Sequence, residues 1–255
     1  MMAGGEKPWL ASPTGLRASW PPVPAEGWHA VVPMGEGALL LQWDSGVDRS
    51  QNRRIHRLAG AVVAAAAGNE GLLGAVAGFD TLLVEFDPDR LTPAEVLSRI
   101  RWAAWATHAP VAPRRVEVPV CYGGAWGPDL EALARHAGLH PDTVVRLHAN
   151  RPYQVYCLGF QAGFPYAGPL PDVLVIPRRD RPVARVASGS VAVAGRQTGV
   201  YTRAGPGGWH VIGTTPLNLF DPALDPPTPY RPGDELWFRP VSPEEFGTLA
   251  ESGSA

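Results

Sequence analysis

Three stretches of this 255-residue sequence carry side chains whose types and spacing suit ligand chemistry. The first is Gly159-Phe160-Gln161-Ala162-Gly163-Phe164-Pro165-Tyr166-Ala167-Gly168, dense in glycine and aromatic rings. Large rings on a loop are costly to expose unless something stacks on them, so Phe164 and Tyr166 are candidate walls of a binding site. The plainer alternative folds both rings back onto the protein's own core. The second stretch runs from Pro177 to Arg203, where Arg178, Arg179, Arg181, Arg185, Arg196 and Arg203 stand against the single acid Asp180. Guanidinium forks match carboxylate and phosphate geometry, which points to an anionic ligand or partner. For any one arginine, a solvated surface ion pair explains as much. The third is Gly195-Arg196-Gln197-Thr198-Gly199-Val200-Tyr201: an amide, a hydroxyl and a phenol between glycines that admit a ligand to the backbone. A turn joining two strands is the competing account. The tight turns Pro206-Gly207-Gly208-Trp209-His210 and Gly213-Thr214-Thr215-Pro216-Leu217 add His210 and Thr215.

Other chemistries are poorly supported. His136 and His140 have the spacing of a metal pair, but Gly138 between them breaks the helix that would align them, and no metal site is expected. Cys121 and Cys157 are the two cysteines, too few for a disulfide scaffold or a four-cysteine zinc site, and each sits in a strand pattern as a small apolar residue. No phosphate-binding GxxxxGK[ST], no GxGxxG after a strand, no GxSxG and no HExxH occurs.

The elements that must position these stretches fall into two textures. Up to about residue 110, strands alternate with helices. Residues 37–43 read as a strand. Asn52–Ala67 reads as a helix with Ile55, Leu58, Ala59, Val62 and Val63 on one face. Residues 76–79 and 81–86 read as strands around a bend. Thr92-Pro93-Ala94-Glu95 opens a second helix as a capping box with proline in the first turn. Arg115–Val120 supplies the next strand, giving the βαββαβ order of a split ferredoxin-like unit. Beyond it, two short helices end near Gly138 and His148, and then short strands such as 153–158, 190–194, 209–212 and 235–238 alternate with glycine and proline turns. That spacing predicts a closed or nearly closed β-barrel. The fold class is therefore α+β, with a disordered extension over 1–26, a ferredoxin-like domain over 27–110, a barrel over 111–245 and a tail over 246–255.

Composition agrees. Hydrophobic residues make up 45% and charged residues 18%, enough for a packed core, and 29 glycines with 28 prolines suit a turn-rich β fold. The net charge of −2 argues against a nucleic-acid binder held by bulk charge. No signal peptide is visible and the apolar run Ala59–Ala67 is too short to cross a bilayer, so a cytoplasmic, non-membrane protein is expected.

Several motifs in order resemble one family. They are Val116-Glu117-Val118-Pro119-Val120-Cys121-Tyr122-Gly123-Gly124 with Gly127-Pro128-Asp129-Leu130, then Leu158-Gly159-Phe160 and Gly163-Phe164-Pro165-Tyr166. Ala194–Tyr201, Pro206–Trp209, Thr215-Pro216-Leu217 and Leu219-Phe220-Asp221-Pro222 follow, with Pro33–Leu40 and Leu82–Pro88 upstream. The chain is similar over about residues 31–241 to the allophanate hydrolase subunit 1 group, which includes the bacterial 5-oxoprolinase B subunit and the kinase inhibitor KipI. The resemblance implies a ferredoxin-like domain followed by a cyclophilin-like barrel. It also implies a role in ATP-dependent opening of 5-oxoproline to glutamate, shared with a homologous barrel protein of the 5-oxoprolinase C type and with an A-type subunit of the LamB/YcsF kind. ATP is then a co-substrate of the complex. Inhibition of a histidine kinase, or a carboxyltransferase or allophanate hydrolase-type role in urea or amide metabolism, is the alternative. On the enzyme reading, Arg185 contacts an anion, while Gln197, Thr198 and Thr215 orient the substrate between Phe164 and Tyr166. Tyr201 and His210 are the catalytic candidates. The Gly-rich loops are expected to converge at one mouth of the barrel.

Overall fold

The computed structural model describes residues 29–44, 46, 48–68, 71–103 and 112–252. The extension expected over 1–26, residues 104–111 at the junction of the two expected domains and the last three residues lie outside that set.

The first unit is built from β1 (Ala30–Pro33), β2 (Ala38–Gln42), α1 (Arg49–Ala66), β3 (Leu72–Ala77), β4 (Thr81–Phe86) and α2 (Pro93–Ala103). Period-two alternation buries Leu39 and Leu41 of β2 and Leu82, Val84 and Phe86 of β4. Ile55, Leu58 and Val62 of α1 and Val96, Leu97 and Ile100 of α2 pack on that face. Val63, expected on the buried stripe, is turned 49% out to solvent. Asp48 caps α1 by accepting from the Gln51 amide at 2.7 Å. The capping box forms as expected: the Thr92 amide donates to Glu95 Oε2 at 2.8 Å. The strand order β1-β2-β4-β3, all antiparallel, is that of a split ferredoxin-like sheet. One detail differs from the sequence reading. The edge beside β2 is filled by β1, from ahead of the unit, and residues 115–120 leave for the barrel.

The barrel strands are β5 (Arg115–Tyr122), β6 (Pro152–Leu158), β7 (Pro165–Gly168), β9 (Ser190–Ala194), β10 (Gln197–Val200), β12 (His210–Thr214) and β13 (Glu235–Pro240). They close in the order β10-β7-β6-β13-β5-β12-β9, antiparallel throughout except for the parallel pair β13–β5. The helices α3 (Leu130–Ala137) and α4 (Pro141–Ala149) lie between β5 and β6, and Leu130, Leu133 and Val144 join the barrel core. Gly138 ends α3 at φ +66°, a left-handed conformation that glycine adopts without penalty. The strands β8 (Val183–Val186) and β11 (Gly205–Gly207) pair only with each other. A last helix, α5 (Pro243–Ser252), follows β13 across much of the expected tail, and the Ser242 hydroxyl accepts from the Glu245 amide at 3.2 Å.

The two units are joined by a buried polar seam. Asn52 of α1 donates to the carbonyls of Gly78, Phe79 and Tyr156 and accepts from Gln154 Nε2 at 2.8 Å. His56 Nε2 donates to the Tyr156 carbonyl at 2.7 Å, and Arg49 reaches Glu235 at 3.1 Å. Among the described residues, no helix is long and apolar enough to cross a membrane.

Candidate functional site

Alternation along the barrel strands sorts their side chains onto two faces. Val191 and Val193 of β9, Val200 of β10 and Ala167 of β7 point into the main core. Ala192 and Ala194 of β9 point outwards, where they join Phe164, Val186, Tyr201 and Trp209 in a separate small core, with Tyr166 packed against it. The β8–β11 ribbon covers this outer cluster. The aromatic recess therefore lies outside the barrel wall, under the ribbon, and not at the barrel's mouth as expected.

Its volume is about 310 Å3, and its walls are Phe160, Phe164, Tyr166, Tyr201 and Trp209 together with Arg178, Arg179, Pro182 and the turn Pro206-Gly207-Gly208. The rings meet edge to face: Phe164 lies 4.9 Å from Tyr166, 5.3 Å from Tyr201 and 5.5 Å from Trp209. Two glycines make this approach possible. A Cβ on Gly199 would stand 2.8 Å from Phe164 Cζ, and one on Gly207 would stand 2.3 Å from the Tyr201 hydroxyl. From the first unit, Phe79 braces Tyr166 at 5.4 Å. Burial raises the Tyr166 and Tyr201 phenols above their ordinary value, Tyr201 against a lowering hydrogen bond with the Trp209 backbone, so at neutral pH both carry their protons.

Arg179 is held from two sides. Its amide donates to the Gly208 carbonyl at 2.8 Å, and its Nη2 pairs with Asp129, whose other oxygen accepts from the Val211 amide at 2.7 Å. Its Nε is buried with no acceptor. Arg178, on the rim, is exposed and makes no ion pair with any described carboxylate. The recess thus offers an apolar, aromatic slot, two protonated phenols and two guanidinium groups, one of them with a spare buried N–H. None of the residues lining it is a carboxylate, an imidazole or a thiol.

Of the residues expected at the site, Phe164, Tyr166 and Tyr201 are brought together here. The others are elsewhere. Arg185 is exposed on β8, whose next residue, Val186, is buried under the ribbon, so Arg185 points the other way. The recess takes Arg178 and Arg179 instead. Gln197 and Thr198 are neighbours on β10 and alternate in direction. Gln197 does not line the recess, and Thr198 turns into the barrel core. There Thr198 Oγ1 donates to the Ala192 carbonyl at 3.1 Å and accepts from His148 Nε2 at 2.9 Å, leaving His148 Nδ1 to accept from the Tyr122 hydroxyl at 2.8 Å. Full burial lowers His148 to about 3, so it stays neutral. Thr215 is buried in a turn, accepting from the Leu217 amide at 3.3 Å. His210 Nε2 donates to the Pro177 carbonyl at 3.0 Å and ties down the segment that carries Arg178 and Arg179. Trp209 and Phe160 were not singled out by the sequence. The signal available was an aromatic residue placed next to a glycine turn in each case. Both cysteines are free thiols, with burial pushing Cys157 up to about 12 and raising Cys121 as well, so neither is poised as a nucleophile.

A small α/β sheet is thus sewn to a closed barrel that carries an aromatic, arginine-edged recess. Residues 29–230 match the family described as carboxyltransferase domain, subdomain C and D. The chain is 42% identical to the 5-oxoprolinase B subunit of Escherichia coli O157:H7 over 210 residues, covering 81% of this chain and 94% of that protein. It is 35% identical to the 5-oxoprolinase B subunit of Bacillus subtilis over 243 residues, covering 89% and 98%. This chain belongs to the 5-oxoprolinase B-subunit family. The solved structure of TTHA0988 superposes with a TM-score of 0.70 at 36% identity; the match covers 80% of this chain and spans only 40% of that one.

Proposed function

We propose that this chain is the B subunit of a 5-oxoprolinase, an assembly that opens the lactam of 5-oxoproline to L-glutamate with hydrolysis of ATP, and that the recess under the β8–β11 ribbon holds the substrate. The observation that carries this reading is the lining of the recess. Phe160 and the half-buried Tyr166 offer ring surface to a compact ring beside the buried Phe164, Tyr201 and Trp209, and Arg178 with the free Nε–H of Arg179 binds a carboxylate or a phosphorylated oxygen. A lactam carbonyl is a weak electrophile. Transfer of the ATP γ-phosphoryl group to its oxygen, with ADP leaving, makes the ring carbon reactive toward water, and ring C–N cleavage and phosphate release then give glutamate. In that scheme the arginines stabilise anionic charge and Tyr201 and Tyr166 donate hydrogen bonds.

The lining supplies no general base, so the groups that move protons and bind ATP come from partner subunits of the C and A types. The length of TTHA0988, which continues well beyond the region matched here, is consistent with a module that works next to further polypeptide. We place the complex in the cytoplasm, in keeping with two free thiols. The test is ATP-dependent glutamate release by the chain alone and with its partner subunits. Activity is expected only in the assembly, and turnover by the isolated chain would overturn the division of labour.

A further inference from the structure

Phe160 combines three features that seldom coincide. Its backbone is left-handed at φ +67°, where a bulky side chain is strained, and it is the sole non-glycine residue in that region among those described. The Gln161 amide donates to the Gly159 carbonyl at 2.8 Å, an i to i+2 bond across Phe160 that together with this positive φ marks a γ-turn. The residue is 60% exposed at the edge of the recess. It still meets Phe164 edge-on at 5.6 Å and Tyr201 at 6.1 Å. A glycine here would be free of strain, and the ring gains little burial from its own protein.

The strained turn is held from behind. Thr202 Oγ1 donates to the Ala162 carbonyl at 2.7 Å, the Tyr230 hydroxyl donates to the Gly163 carbonyl at 2.8 Å, and the Phe164 amide donates to the Gln161 carbonyl at 3.1 Å. The backbone that follows Phe160 is thus braced over Gln161 to Phe164. Gln161 adds a buried Oε1 without a donor, and its Nε2 lies where a Cβ on Gly205, at the start of β11, would fall within 2.9 Å. Of the residues lining the recess, Arg179 carries the orphaned donor, its Nε–H, the complement of an anionic oxygen.

Resting on the assignment of the recess as the substrate site, we propose that Phe160 is a specificity-determining residue: its ring forms the outer face of a slot that fits a small, nearly planar cyclic amide bearing a carboxylate, and it sets the ring size accepted. Exposed apolar surface on Phe160 is then covered by the ligand, and preorganisation of the turn spares the ordering cost on binding.

The experiment is calorimetric titration, without ATP, of the assembled complex with 5-oxoproline and with its six-membered homologue, 6-oxopiperidine-2-carboxylate. Wild type should prefer the five-membered ring. Phe160→Ala should weaken 5-oxoproline at least tenfold and bring the two ligands to within about twofold of each other, with a thermal midpoint no lower than wild type. Phe160→Gly removes strain along with the ring and should behave the same way, so a disturbed loop in one variant does not rescue the idea. Unchanged affinity and preference in both variants, alongside weakened binding in Arg178→Ala, would sink the role of Phe160 and leave the recess as the site. Binding unaffected by Arg178→Ala and by both Phe160 variants, or no binding by wild type, would remove the recess assignment and this proposal with it.

Discussion

Arg178 and Arg179 are adjacent in sequence and do different work. Arg179 is anchored through Asp129 to the start of α3 and to β12, so removing it disturbs the wall as well as the charge. Arg178 has no such duties and is the cleaner probe. Arg178→Ala should cost about 1.5–3 kcal/mol of substrate affinity, the scale of a hydrogen bond to a charged group, read as a raised KM of the complex at unchanged melting temperature. Arg185→Ala, on the far side of its strand, should leave KM alone. His148 makes a separate prediction. Its folded-state value of about 3 lies below the 6.5 of a free imidazole, so between those limits the unfolded chain binds a proton that the native barrel refuses. Stability should therefore fall as pH drops through that window, by about 2 kcal/mol from pH 7.5 to 5. Urea unfolding of wild type against His148→Gln at both pH values checks this, with the variant expected to show the shallower pH dependence.

Strands and turns decide which of these side chains can meet. The long periodic elements were legible: β9 and β13 alternate, Thr92 and Glu95 announce α2, and Gly138 announces the end of α3. The short ones were not, because β11 is Gly-Pro-Gly and β7 is Pro-Tyr-Ala-Gly, and neither carries an apolar period to read. Phe164 and Tyr166 stood out as rings in a glycine-rich loop and Tyr201 as a phenol beside glycines; the structure brings the three together, with Phe164 and Tyr201 folded onto the protein's own small core. Choosing Arg178 over Arg185 required knowing that β8 folds over the outside of the barrel, a long-range fact that no local spacing contains. A tight constraint inside a strand of the recess is Gly199 on β10, whose added Cβ would meet the Pro165 carbonyl oxygen at 2.7 Å as well as the Phe164 ring. Gly199→Ala should destabilise the protein by about 1–3 kcal/mol through overpacking and should displace Phe164, seen as a lowered melting temperature together with weaker substrate binding.

At the scale of the whole molecule, the seam around Asn52 makes two units behave as one. Asn52→Ala strips hydrogen bonds from the carbonyls of Gly78 and Phe79 and from the Gln154 amide in a buried setting. A loss of about 1–3 kcal/mol is expected for each buried group left unsatisfied, and the single calorimetric transition should divide into two as the units uncouple. The parallel pair β5–β13 has a consequence in the cell. Its partners stand at opposite ends of the barrel sequence, and every other barrel strand is made in the interval. At about 5–20 residues per second a ribosome needs on the order of ten seconds to travel from one to the other. Throughout that time the nascent barrel is an open sheet with an unpaired β5 edge, while the α/β unit ahead of it already has all its strands. Translation speed over the second half of the message, and a chaperone able to shield that edge, should therefore govern the yield of this protein far more than they govern the yield of its first domain.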